Sequence, residues 1–239
     1  MLLDIFYWVR TAIFYALAML FGIPWLTFIV LAVYLVPERK RHPFFVKTFC
    51  SVILYLSRVI CGIRWKVEGL ENLPDQACVV ASNHQSTWET FFLQLLISPQ
   101  STVVKKELFA IPFFGWALKR LNPIAINRKE RRSAMQQIKE KGKASLDDNY
   151  WVVIFPEGTR TNWPEIGQCG HGAASLARYA GVPVLPIVHN AGRFWPNSSW
   201  KKVPGEITVR IGTAIESQDK KVDGLTKEIK EWMVANHPD

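Results

Sequence analysis

The hydrophobic positions of the chain divide it into two parts with different patterns. Residues 11–36 form 26 consecutive positions without a charged side chain, which is more than the roughly 20 that a helix needs to span the hydrocarbon of a bilayer. Gly22 and Pro24 interrupt this run, so we expect a kink or a hairpin that enters and leaves one leaflet. The first part therefore predicts a membrane-embedded helical segment. A cleaved signal peptide is disfavoured, because the run is too long and no small-residue cleavage site follows it.

Positive charge follows the apolar run directly. Glu38-Arg39-Lys40-Arg41 and Lys47 lie on this flank, and an excess of Lys and Arg beside an apolar segment predicts a cytoplasmic location. Residues 44–63 mix aromatic and aliphatic side chains with Lys47 and Arg58. This composition fits an amphipathic helix at the membrane interface better than a second span, and it fits a buried core helix about equally well.

From residue 63 onward, short apolar runs alternate with helical patterns, which is typical of an α/β domain. We expect membrane-anchoring helices at residues 1–62 and one α/β domain at residues 63–239. Strands are predicted at residues 64–67, 78–82, 101–105, 124–127, 150–155, 184–188 and 207–211. Helices are predicted at residues 87–97, 113–121, 132–147, 172–180 and 225–235.

The charge balance of the chain is basic. The formal net charge is +9, which would attract phospholipid headgroups, nucleotide phosphates, an acidic carrier protein or nucleic acid. Nucleic-acid binding would leave the apolar run unexplained, so we expect no nucleic-acid partner. The four cysteines lie far apart without a CxxC pair, and we expect reduced thiols and no metal site.

One candidate catalytic pair lies where an apolar strand meets a helix. His84 follows the apolar residues 77–81, and Glu89 falls in the first turn of the next helix. Across a strand-to-helix loop the two side chains can meet, and a carboxylate bonded to one imidazole nitrogen makes the other a better general base. The alternative is that residues 86–89 form a capping box in which Glu89 only satisfies the helix start.

Two further strands end near cations. Residues 151–155 run into Pro156-Glu157-Gly158-Thr159-Arg160, a loop with a permissive glycine, a hydroxyl and a guanidinium that suits a phosphate. Residues 123–127 end on Arg128, and Lys105 ends an earlier strand. Two strands that finish in arginine suggest a shared anion site, although a plain turn with a solvated arginine is the simpler alternative.

Four ordered blocks of the chain resemble the glycerolipid acyltransferase family, and the closest resemblance is to its bacterial 1-acyl-glycerol-3-phosphate acyltransferases. The order and spacing of the blocks make the resemblance specific. They are Asn83-His84-Gln85-Ser86-Thr87-Trp88-Glu89, residues 105–128, Phe155-Pro156-Glu157-Gly158-Thr159-Arg160 and Val182-Pro183-Val184-Leu185-Pro186-Ile187.

The resemblance implies a mixed sheet flanked by helices and a place in phospholipid biosynthesis at a bacterial inner membrane. His84, oriented by Glu89, would deprotonate the sn-2 hydroxyl of lysophosphatidic acid, which then attacks the thioester of acyl-CoA or acyl carrier protein. No cofactor, metal or acyl-enzyme is implied. The phosphate and glycerol site would comprise Arg128, Glu157, Gly158, Thr159 and Arg160, with Lys105 assisting, and residues 182–187 would support the acyl pocket.

Some positions depart from the commoner family pattern. Glu89 stands where aspartate is more frequent, Thr161 where serine is, and Asn122-Pro123 where glycine is common. The open alternative within this class is another lyso-lipid acceptor, such as a lyso-ornithine lipid or a lysophospholipid with a larger headgroup. The chain contains no G-x-S-x-G motif, which a serine esterase would need. A non-catalytic membrane tether would not need His84, Glu89 and Arg160.

Overall fold

The structure is a computed structural model that describes residues 2–121, 123–127 and 131–238. Seven strands and nine α-helices occur within these ranges. The strands are β1 (Ile63–Glu68), β2 (Val79–Ser82), β3 (Gln100–Lys105), β4 (Ile124–Ile126), β5 (Trp151–Ile154), β6 (Val184–His189) and β7 (Gly205–Ile211). The helices are α1 (Leu2–Ala32), α2 (Glu38–Arg41), α3 (Lys47–Cys61), α4 (Trp88–Leu96), α5 (Phe114–Lys119), α6 (Arg131–Asp147), α7 (Gly172–Ala180), α8 (Ala191–Phe194) and α9 (Val222–Asn236).

The strands form one sheet in the order β1-β7-β6-β2-β5-β3-β4. Only the pairing of β6 with β7 is antiparallel, so the sheet is mixed, as the family resemblance implies. Every strand lies close to its predicted position, because strands that are covered on both faces appear in the sequence as short continuous apolar runs. The carboxyl ends of the five parallel strands from β6 to β4 meet at one edge of the sheet.

Apolar side chains cover both faces of the sheet. On one face, Phe14 of α1, Leu54 of α3 and Leu93 of α4 share a core with Val80 and Leu185 of the central strands. On the other face, helices α6, α7 and α9 pack against the sheet. Residues of the predicted membrane anchor therefore belong to the same apolar core as the sheet.

The sequence left open a kink or a hairpin at Gly22 and Pro24, and helix α1 excludes the hairpin. The helix continues through Pro24 as one element of 31 residues. Phe21 and Trp25 stack with their ring centroids 5.8 Å apart, and the Trp25 indole N–H donates to the Phe45 carbonyl over 3.1 Å. These contacts join Phe21, before Pro24, to Trp25, after it, and hold Trp25 against Phe45. Together they override the local tendency of the helix to break at Pro24.

Helix α3 buries one side in the core. Cys50, Ile53, Leu54 and Ser57 of α3 are buried, whereas Tyr55 is 64% exposed. This matches the core-helix interpretation of residues 44–63. By length and composition alone, residues 2–35 and 38–61 are each apolar enough to cross a membrane.

Candidate active site

The carboxyl edge of the sheet collects the predicted site residues. His84 follows β2, Glu157 and Arg160 follow the neighbouring β5, and Lys105 ends β3 on the other side of β5. Adjacent strands lie about 4.8 Å apart. Polar side chains that are far apart in sequence are therefore brought to one short stretch of the sheet edge, where open α/β sheets bind their ligands.

His84 and Glu89 are in direct contact. Nδ1 of His84 lies 2.8 Å from Oε1 of Glu89, which is fully buried. The same oxygen accepts the backbone N–H groups of Gln85 and Ser86 over 3.1 and 2.9 Å, and the Ser86 hydroxyl accepts the Trp88 N–H over 3.0 Å. Glu89 is thus both the capping-box residue and the partner of His84, and the two interpretations of the sequence hold together.

The ionisation of Glu89 decides the imidazole tautomer. Burial alone would raise the pKa of Glu89, but the pKa is lowered because attraction to the imidazoles of His189 and His84 and the hydrogen bonds from His84 and Ser86 outweigh burial. An ionised carboxylate only accepts hydrogen bonds, so Nδ1 of His84 carries the proton and Nε2 of the neutral ring has the lone pair. Nε2 has no hydrogen-bond partner among the described residues.

His189 is a buried second histidine beneath this pair. Its Nε2 lies 3.0 Å from the Asn83 carbonyl, and its Nδ1 accepts the Ala191 N–H over 3.3 Å. Burial lowers the pKa of His189. The Asn83 side chain also bonds the backbone N–H and carbonyl of His189. These contacts fix the loop that carries His84 against the end of β6. The sequence analysis did not predict this role for His189.

The loop after β5 folds over the loop after β2. The backbone N–H of Thr161 donates to the His84 carbonyl over 2.8 Å, and the Thr161 hydroxyl lies 3.1 Å from Oε2 of Glu157. Gly158 has φ +70°, and a Cβ there would meet no heavy atom within 4 Å. Glycine is therefore required at this position for the turn rather than for space.

Glu157 lies under this loop instead of pointing out of it. Burial is the main cause that raises its pKa to about 7. Its Oε1 atom is buried without a hydrogen-bond partner among the described residues. Its charge therefore changes near neutral pH.

Arg160 presents its guanidinium beside the His84–Glu89 pair. Nε donates to the Ser86 carbonyl over 3.0 Å, and Nη1 lies 3.5 Å from Oδ1 of Asn197. The Nε bond fixes the side chain, which also lines the apolar cavity described below. A planar guanidinium held in this way is suited to a phosphate or a carboxylate.

An apolar cavity of about 350 Å³ begins beside the histidine. Phe155 stacks on the His84 ring with centroids 4.1 Å apart. Phe155, Thr87 and Arg160 line one part of the cavity, and Ile29 of α1 and Phe49 of α3 line another. No residue of the 182–187 strand is among the lining residues. Strand β6 lies beyond β2, on the side of the sheet away from β5.

The remaining predicted residues differ in what the structure says of them. Thr159 and Lys105 are exposed at the same edge. Arg128 lies outside the described residues, although Asn127, which precedes it, directly follows the end of β4 at this edge. Among the described residues, no group of three or more His, Cys, Asp or Glu side chains could hold a metal ion.

This arrangement places a candidate general base, His84 paired with Glu89, beside an apolar cavity. The family model described as Acyltransferase matches residues 64–190. The 1-acyl-sn-glycerol-3-phosphate acyltransferase of Pseudomonas aeruginosa is 43% identical over 94% of this chain and 89% of that protein. The chloroplastic acyltransferase of the same name from Brassica napus (BAT2) is 33% identical over 68% of this chain and 46% of that protein.

The fold also has a solved counterpart. The crystal structure of the 1-acyl-sn-glycerophosphate (LPA) acyltransferase PlsC from Thermotoga maritima superposes with a TM-score of 0.80 at 22% identity, covering 97% of this chain and 96% of that one. The chain belongs to the acyltransferase family that includes the 1-acyl-sn-glycerol-3-phosphate acyltransferases.

Proposed function

We propose that this enzyme moves an acyl group from acyl-CoA or acyl carrier protein to the sn-2 hydroxyl of 1-acyl-glycerol-3-phosphate and forms phosphatidic acid. The observation that carries the reaction type is the 2.8 Å contact between Nδ1 of His84 and the buried Glu89, which leaves Nε2 as a base. The likeness to enzymes named for this acceptor supports its identity.

The step needs one proton carrier and no further group. Nε2 of His84 takes the proton of the acceptor hydroxyl while the oxygen attacks the thioester carbonyl. The C–S bond then breaks, and the leaving thiolate takes the proton from His84. Glu89 stabilises the transient imidazolium, which is the usual contribution of a carboxylate in such a pair. We infer no acyl-enzyme, cofactor or metal.

Arg160 is the proposed centre of the phosphate site. Its Nε donates to the backbone carbonyl of Ser86, in the same loop as His84. Lys105 of β3 lies at the same sheet edge. Arg128, which lies outside the described residues and follows β4 in the sequence, would add a third cation. Gly158 and Thr159 form the turn that positions Arg160, and Glu157 supports this turn through Thr161.

The apolar cavity is the proposed place for an acyl chain. It opens beside Phe155, which is stacked on His84, and its other lining residues are mostly aliphatic and aromatic. An acyl chain bound there would have its reacting end near Nε2 of His84. Burial of its methylenes would supply about 0.8 kcal/mol each.

Helices α1 and α3 would hold the enzyme at the membrane. α1 is tied to the catalytic part near its start, where Lys201 Nζ lies 2.6 Å from Asp4 Oδ1, and near its end, where Ala117 packs with Ile29 and Val33. Because α1 is held along its length in this way, we infer that it lies along one leaflet rather than across the bilayer. The cations of residues 38–41 support the cytoplasmic side of a bacterial inner membrane.

The test is acceptor discrimination by purified enzyme with palmitoyl-CoA and, separately, palmitoyl carrier protein. Lysophosphatidic acid, lysophosphatidylcholine and a lyso-ornithine lipid would be offered at equal concentration in the same detergent. We expect a kcat/KM for lysophosphatidic acid that exceeds the others by about tenfold or more, because only this acceptor presents a terminal phosphate to Arg160. Equal rates for all three would contradict the proposed acceptor.

A further inference from the structure

The segment between β3 and β4 has two apolar sides. Its inner side, with Leu108, Phe114 and Leu118, lines the cavity beside His84. Its outer side exposes Ile111 (44%), Phe113 (36%) and Trp116 (50%). We call residues 108–119 the flap. This short segment therefore forms a thin wall, with the cavity on its inner side and exposed apolar side chains on its outer side.

The backbone of the flap is strained in a way that presents Phe113 outward. Phe113 has φ +59° and ψ −59°, and the Phe114 N–H donates to the Pro112 carbonyl over 2.6 Å. This is the γ-turn with positive φ, which is rare and costly for a bulky residue. The turn places the Phe113 ring 5.4 Å from the Trp116 ring, and the two rings form an exposed pair.

The surroundings of this pair point to a lipid surface. Lys106, Lys119 and Arg120 flank it against a single carboxylate, Glu107. Arg120 lies over the ring of Tyr34, 5.0 Å from its centroid, beyond the end of α1. The outer side of the flap therefore continues into the apolar end of α1, where Leu31, Tyr34 and Leu35 are 75%, 67% and 84% exposed.

From these observations we propose that the flap inserts Phe113 and Trp116 into the lipid interface and forms the wall through which lipid substrate passes from the bilayer to the cavity. Exposed aromatic rings with a rim of cations match the composition of an anionic membrane interface. The kinetic part of this inference rests on the proposed function, whereas the insertion itself does not.

Insertion is tested by an environment-sensitive label. Trp116→Cys in a Cys169→Ser background, labelled with NBD and reconstituted in phosphatidylcholine–phosphatidylglycerol vesicles, should show a blue shift and quenching by doxyl lipids. The matched control is Tyr179→Cys, because Tyr179 is also an exposed aromatic residue (51%) but belongs to α7 on the other face of the sheet. Equal quenching by aqueous iodide at both positions would overturn the proposal, and this readout needs no activity.

Passage of substrate is tested by the physical state of the acceptor. Trp116→Ser and Phe113→Gly should each lower kcat/KM for long-chain lysophosphatidic acid in vesicles by about tenfold. They should leave kcat/KM for a short-chain, monomeric lysophosphatidic acid unchanged, as should Tyr179→Ser for both acceptors. Phe113→Gly also removes the strain of the γ-turn, so its folding is not in question. An equal loss with both acceptors in both flap variants would make the flap structural and would refute the passage.

Discussion

Nδ1 of His84 and Oε1 of Glu89 lie 2.8 Å apart, and the same oxygen accepts two backbone N–H groups of the loop between them. The carboxylate therefore orients the imidazole and the backbone together. Because Glu89 is fully buried, neither contact competes with water. In the proposed mechanism the base is therefore fixed before substrate arrives, which is how a general base gains efficiency.

Glu89→Gln tests this orienting role. The amide keeps the size of the side chain but cannot stabilise an imidazolium, so kcat should fall by roughly 10²–10⁴. Steady-state kinetics with saturating lysophosphatidic acid would measure the loss. Glu68→Gln, which removes an exposed carboxylate bonded to Arg210, is the control and should keep wild-type kcat. Wild-type activity in Glu89→Gln would rule out the pair.

Arg160→Lys tests the phosphate site. Lysine keeps the charge but loses the planar set of donors and the Nε bond to the Ser86 carbonyl. The KM for the acceptor should rise on the order of tenfold with a smaller change in kcat. Arg193→Lys is the control, because Arg193 is exposed and lies over the Trp163 ring, 5.0 Å from its centroid. An unchanged acceptor KM in Arg160→Lys would place the phosphate elsewhere.

Glu157 predicts a pH dependence of stability. Burial raises its pKa from 4.5 to about 7, so the folded protein binds this proton more tightly than the unfolded chain does. The free energy of unfolding therefore contains a contribution that is complete below pH 4.5 and is lost as the pH rises to about 7.

Glu157→Gln removes this titration. As the pH rises from 5 to 8, the wild type loses this contribution and the variant does not, so the stability of the variant relative to wild type should increase. Each kcal/mol corresponds to about 2–4 °C in Tm. Thermal unfolding at both pH values would measure it, with Glu165→Gln at an exposed carboxylate as the control. A difference between variant and wild type that is the same at both pH values would contradict the raised pKa.

Val104→Phe tests the acyl cavity. Val104 lines the cavity, and a phenyl group there would occupy part of its volume. Because each buried methylene is worth about 0.8 kcal/mol, or nearly fourfold, kcat/KM should fall more for palmitoyl than for octanoyl substrates. Val234→Phe on the exposed side of α9 is the control. A loss that does not depend on chain length would argue against acyl binding in this cavity.

The sequence predicted most of the fold because its signals were local. All seven strands appear in the sequence as short apolar runs and five of the helices as helical patterns, and His84, Glu89 and Arg160 follow strands at the same edge. The path of α1 could not be predicted, because its continuity at Pro24 depends on contacts between Trp25 and Phe45. His189 was missed for the same reason. A lone histidine at a strand end shows nothing of its contact with Asn83, which is 106 residues away.

Acyl transfer by His84→Ala tests the central claim most directly. Free thiol would be followed during the reaction of palmitoyl-CoA with lysophosphatidic acid, for wild type and variant, after both show the same thermal unfolding. The account predicts acceptor-dependent thiol release by the wild type and a loss of at least about 10²-fold in the variant. Acceptor-dependent release at the wild-type rate by His84→Ala would contradict it.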